Sequence, residues 1–322
     1  MSAVPSKTDI ETSSPSHTVR WQGLLLGFVG VACFSLTLPT TLVAVRYFDP
    51  IFVALGRAIV AGVLSLVLLL VTRQTWPRGS EWWRLIVVSL GVVVGFPILS
   101  SYAMKSLPAS QGAIVTGLIP LCTAAFGAYR AKQNMPWLFW VSALAGSSAV
   151  VIFSLASGGW NIRTEHAILL LAVIVTSISY TEGAILAKTL GSWQVICWTL
   201  VVSLPFLVAP VVWSVRANGL WIEAGTVSPQ NAWLAFAYLS LVSMFLAFFA
   251  WYRGLMLGGI PQVSQIQLLQ PFMTISVSAI CLGEELSFGL ILTAILVVLC
   301  VVLGRWASRT PKVVWRSTSP KG

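Results

Sequence analysis

The chain has 322 residues, of which 57% are hydrophobic and 9% charged, where a soluble globular domain carries roughly 25% charged residues. A mean hydropathy of +0.89 over the whole length excludes a soluble globule and points to an all-α membrane protein. The net charge of +10 invites a nucleic-acid partner, but the basic residues flank apolar stretches, so the partner they imply is the lipid bilayer and no nucleic acid.

Residues 1–20 are rich in Ser, Thr and Pro, lack an apolar core and read as a disordered cytoplasmic tail with no signal peptide. Ten stretches of about 20 predominantly apolar residues follow, the length that spans a hydrocarbon core as a helix. They cover 22–45, 50–71, 85–104, 109–129, 136–156, 167–187, 194–213, 232–257, 262–282 and 287–305, and the edges shift most easily where links are short. Ten spans put both termini on one side. With that side cytoplasmic, fourteen basic residues lie inside or at the inner boundary, and only Arg46, Lys105, Arg163 and Arg216 lie outside. The positive-inside rule selects this orientation. Trp21, Trp82, Trp83, Trp137, Trp193 and Trp306 sit at span ends, as interfacial anchors do. Residues 306–322 form a basic tail that either fixes orientation or binds anionic lipid.

The chain repeats itself. Tyr102, Pro108, Gln111 and Pro120 are loosely echoed by the stretch from Tyr252 to Gln262 and by Pro271. Gln111 and Pro120 fall on Gln262 and Pro271 at one offset of 151 residues, while Tyr102 reaches Tyr252 only with a one-residue insertion. Grouped as 21–156 and 167–305, the halves hold five spans each. Five is odd, so the second half enters from the opposite side as an inverted copy, and the solute site of such transporters lies where the halves meet. At the same offset Thr116 falls on Gln267 and Thr123 on Thr274. Steps of 3.6 residues put Gln267, Gln270 and Thr274 on one face of the ninth helix, and Thr116 and Thr123 on one face of the fourth. A polar stripe is costly in lipid, so these faces line a cavity or supply hydrogen bonds between helices. Pro120 and Pro271 each remove a helical hydrogen bond and mark matching kinks, read as hinges.

The segments Ala250-Trp-Tyr-Arg-Gly-Leu, Gly258-Gly-Ile-Pro-Gln-Val, Leu268-Leu-Gln-Pro271 and Leu282-Gly-Glu284-Glu-Leu-Ser287 resemble the EamA type of the drug/metabolite transporter superfamily. The resemblance covers nearly all of 22–305. It implies ten helices in an inverted five-plus-five repeat, a central cavity bordered by helices one, three, four, six, eight and nine, and export of small metabolites, often amino acids. The first half departs from the pattern, because Lys132-Gln133 stands where the family has a glutamate.

Two charges fall inside spans. An ionised Glu182 there costs roughly 2.5–3.5 kcal/mol, so it is either a proton-coupling group or a structural partner of Lys188 or a tyrosine. Arg57 either snorkels or pairs with Asp49, or holds a substrate carboxylate. Tyr180 and Trp251 are the aromatic candidates for solute contact, with packing as the alternative.

Catalytic chemistry finds no foothold. Five cysteines lack C-x-x-C spacing, only two histidines exist, and neither a Walker A loop nor a G-x-G-x-x-G fingerprint occurs, so no cofactor or metal is expected. The reading is a secondary transporter, not an enzyme, moving a small organic molecule, amino-acid-like or related, across the inner membrane by alternating access, with export favoured and protons one candidate for the coupling ion. Uncoupled uptake or exchange is the rival within transport, and a membrane enzyme or sensor the rival outside it. Gly23-x-x-x-Gly27 and Gly91-x-x-x-Gly95 fit helix packing in a monomer or a homodimer alike.

Overall fold

The computed structural model describes residues 17–130, 136–157, 163–220, 227–258, 263 and 266–309, and among them every regular element is helical. In chain order these are α1 (Trp21–Val45), α2 (Phe52–Val71), α3 (Glu81–Ala103), α4 (Ala109–Arg130), α5 (Trp137–Ser157), α6 (Thr164–Ala187), α7 (Ser192–Asn218), α8 (Pro229–Gly254), α9 (Gln267–Leu282) and α10 (Phe288–Gly304). Among the described residues seven are long and apolar enough to cross a membrane, and α9 and α10 are shorter apolar helices. The seventh stretch extends to Ser192–Asn218 and carries Pro205 and Pro210 within it. Large apolar side chains such as Leu70, Phe206 and Leu299 face outward, the inverse of a soluble surface. Lys132-Gln133 and Gln262 lie outside the described residues.

Helices pair across the chain. α1 runs along α8 and α3 along α6; α2 lies on α7, α4 on α9 and α5 on α10; α4 also meets α6, and α9 meets α1. Exchanging every helix for the one five places away maps this set of pairs onto itself.

Glycines bring the closest pairs together. A Cβ added at Gly254 of α8 would stand 2.7 Å from the backbone nitrogen of Gly27 and 2.9 Å from the carbonyl oxygen of Gly23 in α1. One added at Gly91 of α3 would stand 2.5 Å from the Val175 carbonyl oxygen of α6 and closer still to the Ser179 hydroxyl. Both small-residue motifs of the sequence are therefore used inside the chain, where backbones approach by van der Waals contact.

Regularity fails in matching places. α3 holds a π-helical stretch at Ser89–Gly95 and α8 one at Tyr238–Leu246. At the 151-residue offset the first lands within the second. Such insertions concentrate at functional positions of helices. In α1 the ladder breaks at Leu36, and Pro39 offers no N–H to the Ser35 carbonyl four residues before it. The Thr274 hydroxyl of α9 donates to that carbonyl at 2.8 Å.

At the Ala109 end of α4, Gly283 takes a left-handed conformation (φ 66°) that ends α9 and turns the chain. Glu284, next in sequence, accepts the backbone N–H groups of Ala109 at 2.8 Å and Ser110 at 2.9 Å. It caps α4 from the turn between α9 and α10, since the preceding Pro108 has no capping side chain. Glu284→Ala is expected to cost about 1–2 kcal/mol, the usual loss of a helix cap, read as a lower unfolding temperature in detergent. Glu284→Gln, which keeps an acceptor, should lose less. Equal temperatures for all three proteins would show that the contact holds nothing.

Candidate functional site

A cavity opens midway along the helices and encloses about 570 Å³ of space free of protein atoms, part of it continuous with the outside. Phe34, Thr37 and Leu38 reach it from α1, Arg57 from α2, Val92 and Phe96 from α3, and Thr116 and Ile119 from α4. Thr176 and Tyr180 come from α6, Ser243, Met244 and Phe248 from α8, and Gln267 and Gln270 from α9. Three pairs of these, Val92 with Ser243, Thr116 with Gln267 and Ile119 with Gln270, stand at the 151-residue offset. The cavity is thus lined by corresponding positions of two related stretches.

The irregular backbone explains why these side chains converge. α4 is interrupted at Gly117–Leu118, just before Pro120, and α9 begins with a tight 3₁₀ turn, Gln267–Leu269, just before Pro271. The two interruptions touch: a Cβ on Gly117 would lie 3.2 Å from the ring of Pro271. Both prolines are buried where α4 crosses α9. The π-helical stretches of α3 and α8 carry Val92, Ser243 and Met244 to the same space.

Of the residues selected from sequence, Gln267, Gln270, Thr116 and Tyr180 line the cavity. The Thr116 hydroxyl is held by the Gly112 and Ala113 carbonyls at 3.1 and 3.2 Å. Thr274, Thr123 and Trp251 are not among the lining residues. Thr274 ties α9 to α1, and the Thr123 carbonyl accepts the Thr181 hydroxyl at 3.5 Å. Trp251 is buried with its ring edge-on to Phe34, centroids 6.4 Å apart, so it backs a lining residue. Glu182 lies elsewhere, paired with Arg130 at 2.6 Å and with Arg84 at 3.8 Å. It joins α6 to the last residue of α4 and the first turn of α3.

Arg57 takes neither of the two structural roles that the sequence offered for it. Asp49, its expected partner, is fully engaged: its carboxylate accepts the Ile51 and Phe52 N–H groups at 2.9 and 3.1 Å, the Ser214 hydroxyl at 2.7 Å and the Asn218 amide at 3.3 Å. Arg57 does not snorkel either. It is 2% exposed, its Nε and Nη1 have no hydrogen-bond partner, and it forms none of the ion pairs among the described residues. Three more polar residues escaped notice: Thr37 and Ser243, whose hydroxyls share a hydrogen bond of 2.8 Å, and Thr176, whose hydroxyl is unpartnered. Extending the 151-residue offset from the fourth and ninth helices to the third and eighth would have found Ser243 through Val92.

Residues 21–155 and 164–304 each match the EamA-like transporter family. The chain is 41% identical over 283 residues to the uncharacterized transporter YdeK of Bacillus subtilis (strain 168), covering 88% of this chain and 96% of that protein. It is 25% identical over 293 residues to the uncharacterized transporter YvbV of the same organism, covering 90% and 93%. A solved crystal structure shares the fold with a TM-score of 0.60 at 17% identity, covering 88% of this chain and 97% of its own. Two family matches and relatives aligned end to end make this chain a member of the EamA-like transporter family, a multi-pass membrane transporter of the drug/metabolite type.

Proposed function

We propose that the protein is a secondary transporter that carries a small organic metabolite through the central cavity by alternating access, out of the cell across the inner membrane. In this reading all ten helices span the bilayer as an inverted five-plus-five repeat, with both termini cytoplasmic. Gln267, Gln270, Thr116 and Tyr180 contact the solute, Pro120 and Pro271 are the hinges, and Glu182 is the coupling carboxylate. The observation that carries it is the cavity lined at matching positions of the two stretches, beside interruptions of α4 and α9 that touch one another. The symmetric pairing of the helices supports the inverted repeat, since five helices per copy reverse the second copy in the membrane.

Gln267→Cys and Gln270→Cys, each in a background without the five native cysteines, are expected to react with small aqueous thiol reagents. The adduct should stop counterflow in proteoliposomes of whichever solute a panel of amino acids and organic acids identifies. Unreactive cysteines at both positions in a protein with normal flux would overturn the assignment. A reporter active only outside the cytoplasm and fused to Gly322 should stay silent, and a strong signal would refute the topology.

A further inference from the structure

Among the described residues the guanidinium of Arg57 is the one formal charge on the cavity wall, because no Asp, Glu, Lys or second Arg is among the lining residues. Its surroundings do nothing to neutralise it: the nearest carboxylate in sequence, Asp49, is committed to four other donors, and Arg57 forms none of the ion pairs among the described residues. A buried cation without a counter-charge is strongly unfavourable, and a guanidinium presents its N–H groups in the planar fork that fits a carboxylate. The rest of the wall includes hydrogen-bonding groups such as Gln267, Gln270 and Thr176 and the aromatic rings of Phe34, Phe96 and Phe248.

We propose that the solute of this cavity is a small organic monocarboxylate, its carboxylate held by Arg57 and its apolar part set against the three phenylalanine rings. This rests on the transport reading of the same cavity and adds the charge class of the cargo. One fixed positive charge matches one negative charge, so a monoanion leaves the occupied site neutral. An organic cation would add a second positive charge with no carboxylate to receive it. A zwitterion gains the contact with Arg57 but leaves its ammonium to ring faces and amide oxygens, so it should bind less well than the acid of the same shape.

The test uses the full-length protein in detergent and three probes of one shape, benzoate, benzamide and benzylamine, with phenylacetate and its amide and amine as a longer set. Binding is read by thermal shift and by equilibrium dialysis of radiolabelled compound. The acid is expected to bind about 10–100-fold more tightly than its amide, the range of a hydrogen bond to a charged group, and the amine more weakly than either. Arg57→Gln should erase the preference for acid over amide, while Arg57→Lys, which keeps the charge but loses the fork, should retain part of it. If Arg57→Gln does not fold, the ranking of acid, amide and amine on the unaltered protein decides alone. Amide or amine binding as tightly as the acid in both sets overturns the proposal. Flux of amines without flux of acids in proteoliposomes would overturn it while leaving transport through the cavity intact. Acid-selective binding with no flux of any solute would instead keep the anion site and remove the transport reading.

Discussion

Gly254→Leu should leave almost no folded protein in the membrane. The first atom of any side chain at 254 would lie 2.7 Å from one backbone atom of α1 and 2.9 Å from another. Neither can rotate away as a side-chain tip would, so the helices must separate along their whole seam. Overpacking of a core against movable side chains costs typically 1–3 kcal/mol, and a rigid backbone neighbour raises that cost. Gly254→Ala adds a single carbon and should fold poorly but measurably, whereas Gly289→Leu, where an added Cβ meets nothing within 4 Å, should be tolerated. The check is the monodisperse yield after detergent extraction, compared among the three. Equal yields would mean that α1 and α8 are not seated against each other.

The second large effect concerns energy coupling. Glu182→Gln is expected to abolish accumulation driven by a pH gradient in proteoliposomes while counterflow of the same solute continues, because exchange needs no net proton movement. In the structure the carboxylate is held by Arg130 at 2.6 Å and Arg84 at 3.8 Å, so three helices are tied at the ends opposite the Glu284 cap. In the coupling proposed above, parting of those ends would release the arginines and let the carboxylate trade them for a proton. Glutamine keeps the shape and one acceptor but cannot make that exchange. Loss of both activities would assign Glu182 to the architecture alone. Undiminished pH-driven accumulation would remove it from coupling.

Which parts of this site could be read in the sequence follows from what a helical wheel assumes. A period of 3.6 residues describes an unbroken α-helix. It placed Gln267, Gln270 and Thr116 on inward faces, and the 151-residue offset tied them to one another. The same period carried Thr123 and Thr274 along, and each lies one turn past a lining residue on the same helix, Ile119 or Gln270, beyond the reach of the cavity. A helical wheel gives the face of a residue but not where along the helix the cavity ends, and there Thr274 binds the Ser35 carbonyl instead. Arg57 shows a different limit. Counting residues from the end of a span gives depth in the membrane, whereas burial is set by neighbouring helices that no single stretch reveals. The partners of Glu182 were hidden for the same reason, since Arg84 and Arg130 come from the ends of two other helices.

The glycine seams have one more consequence. Each joins a helix from one family match to a helix from the other, α1 to α8 and α6 to α3. In the alternating-access reading proposed above, the blocks that rock would therefore be mixed, one built around α1 with α8 and the other around α3 with α6. The same seams predict that neither match folds alone. Made alone, the first would expose the glycine faces of α1 and α3 to lipid, and only the arrival of the second supplies the backbones they are shaped to meet.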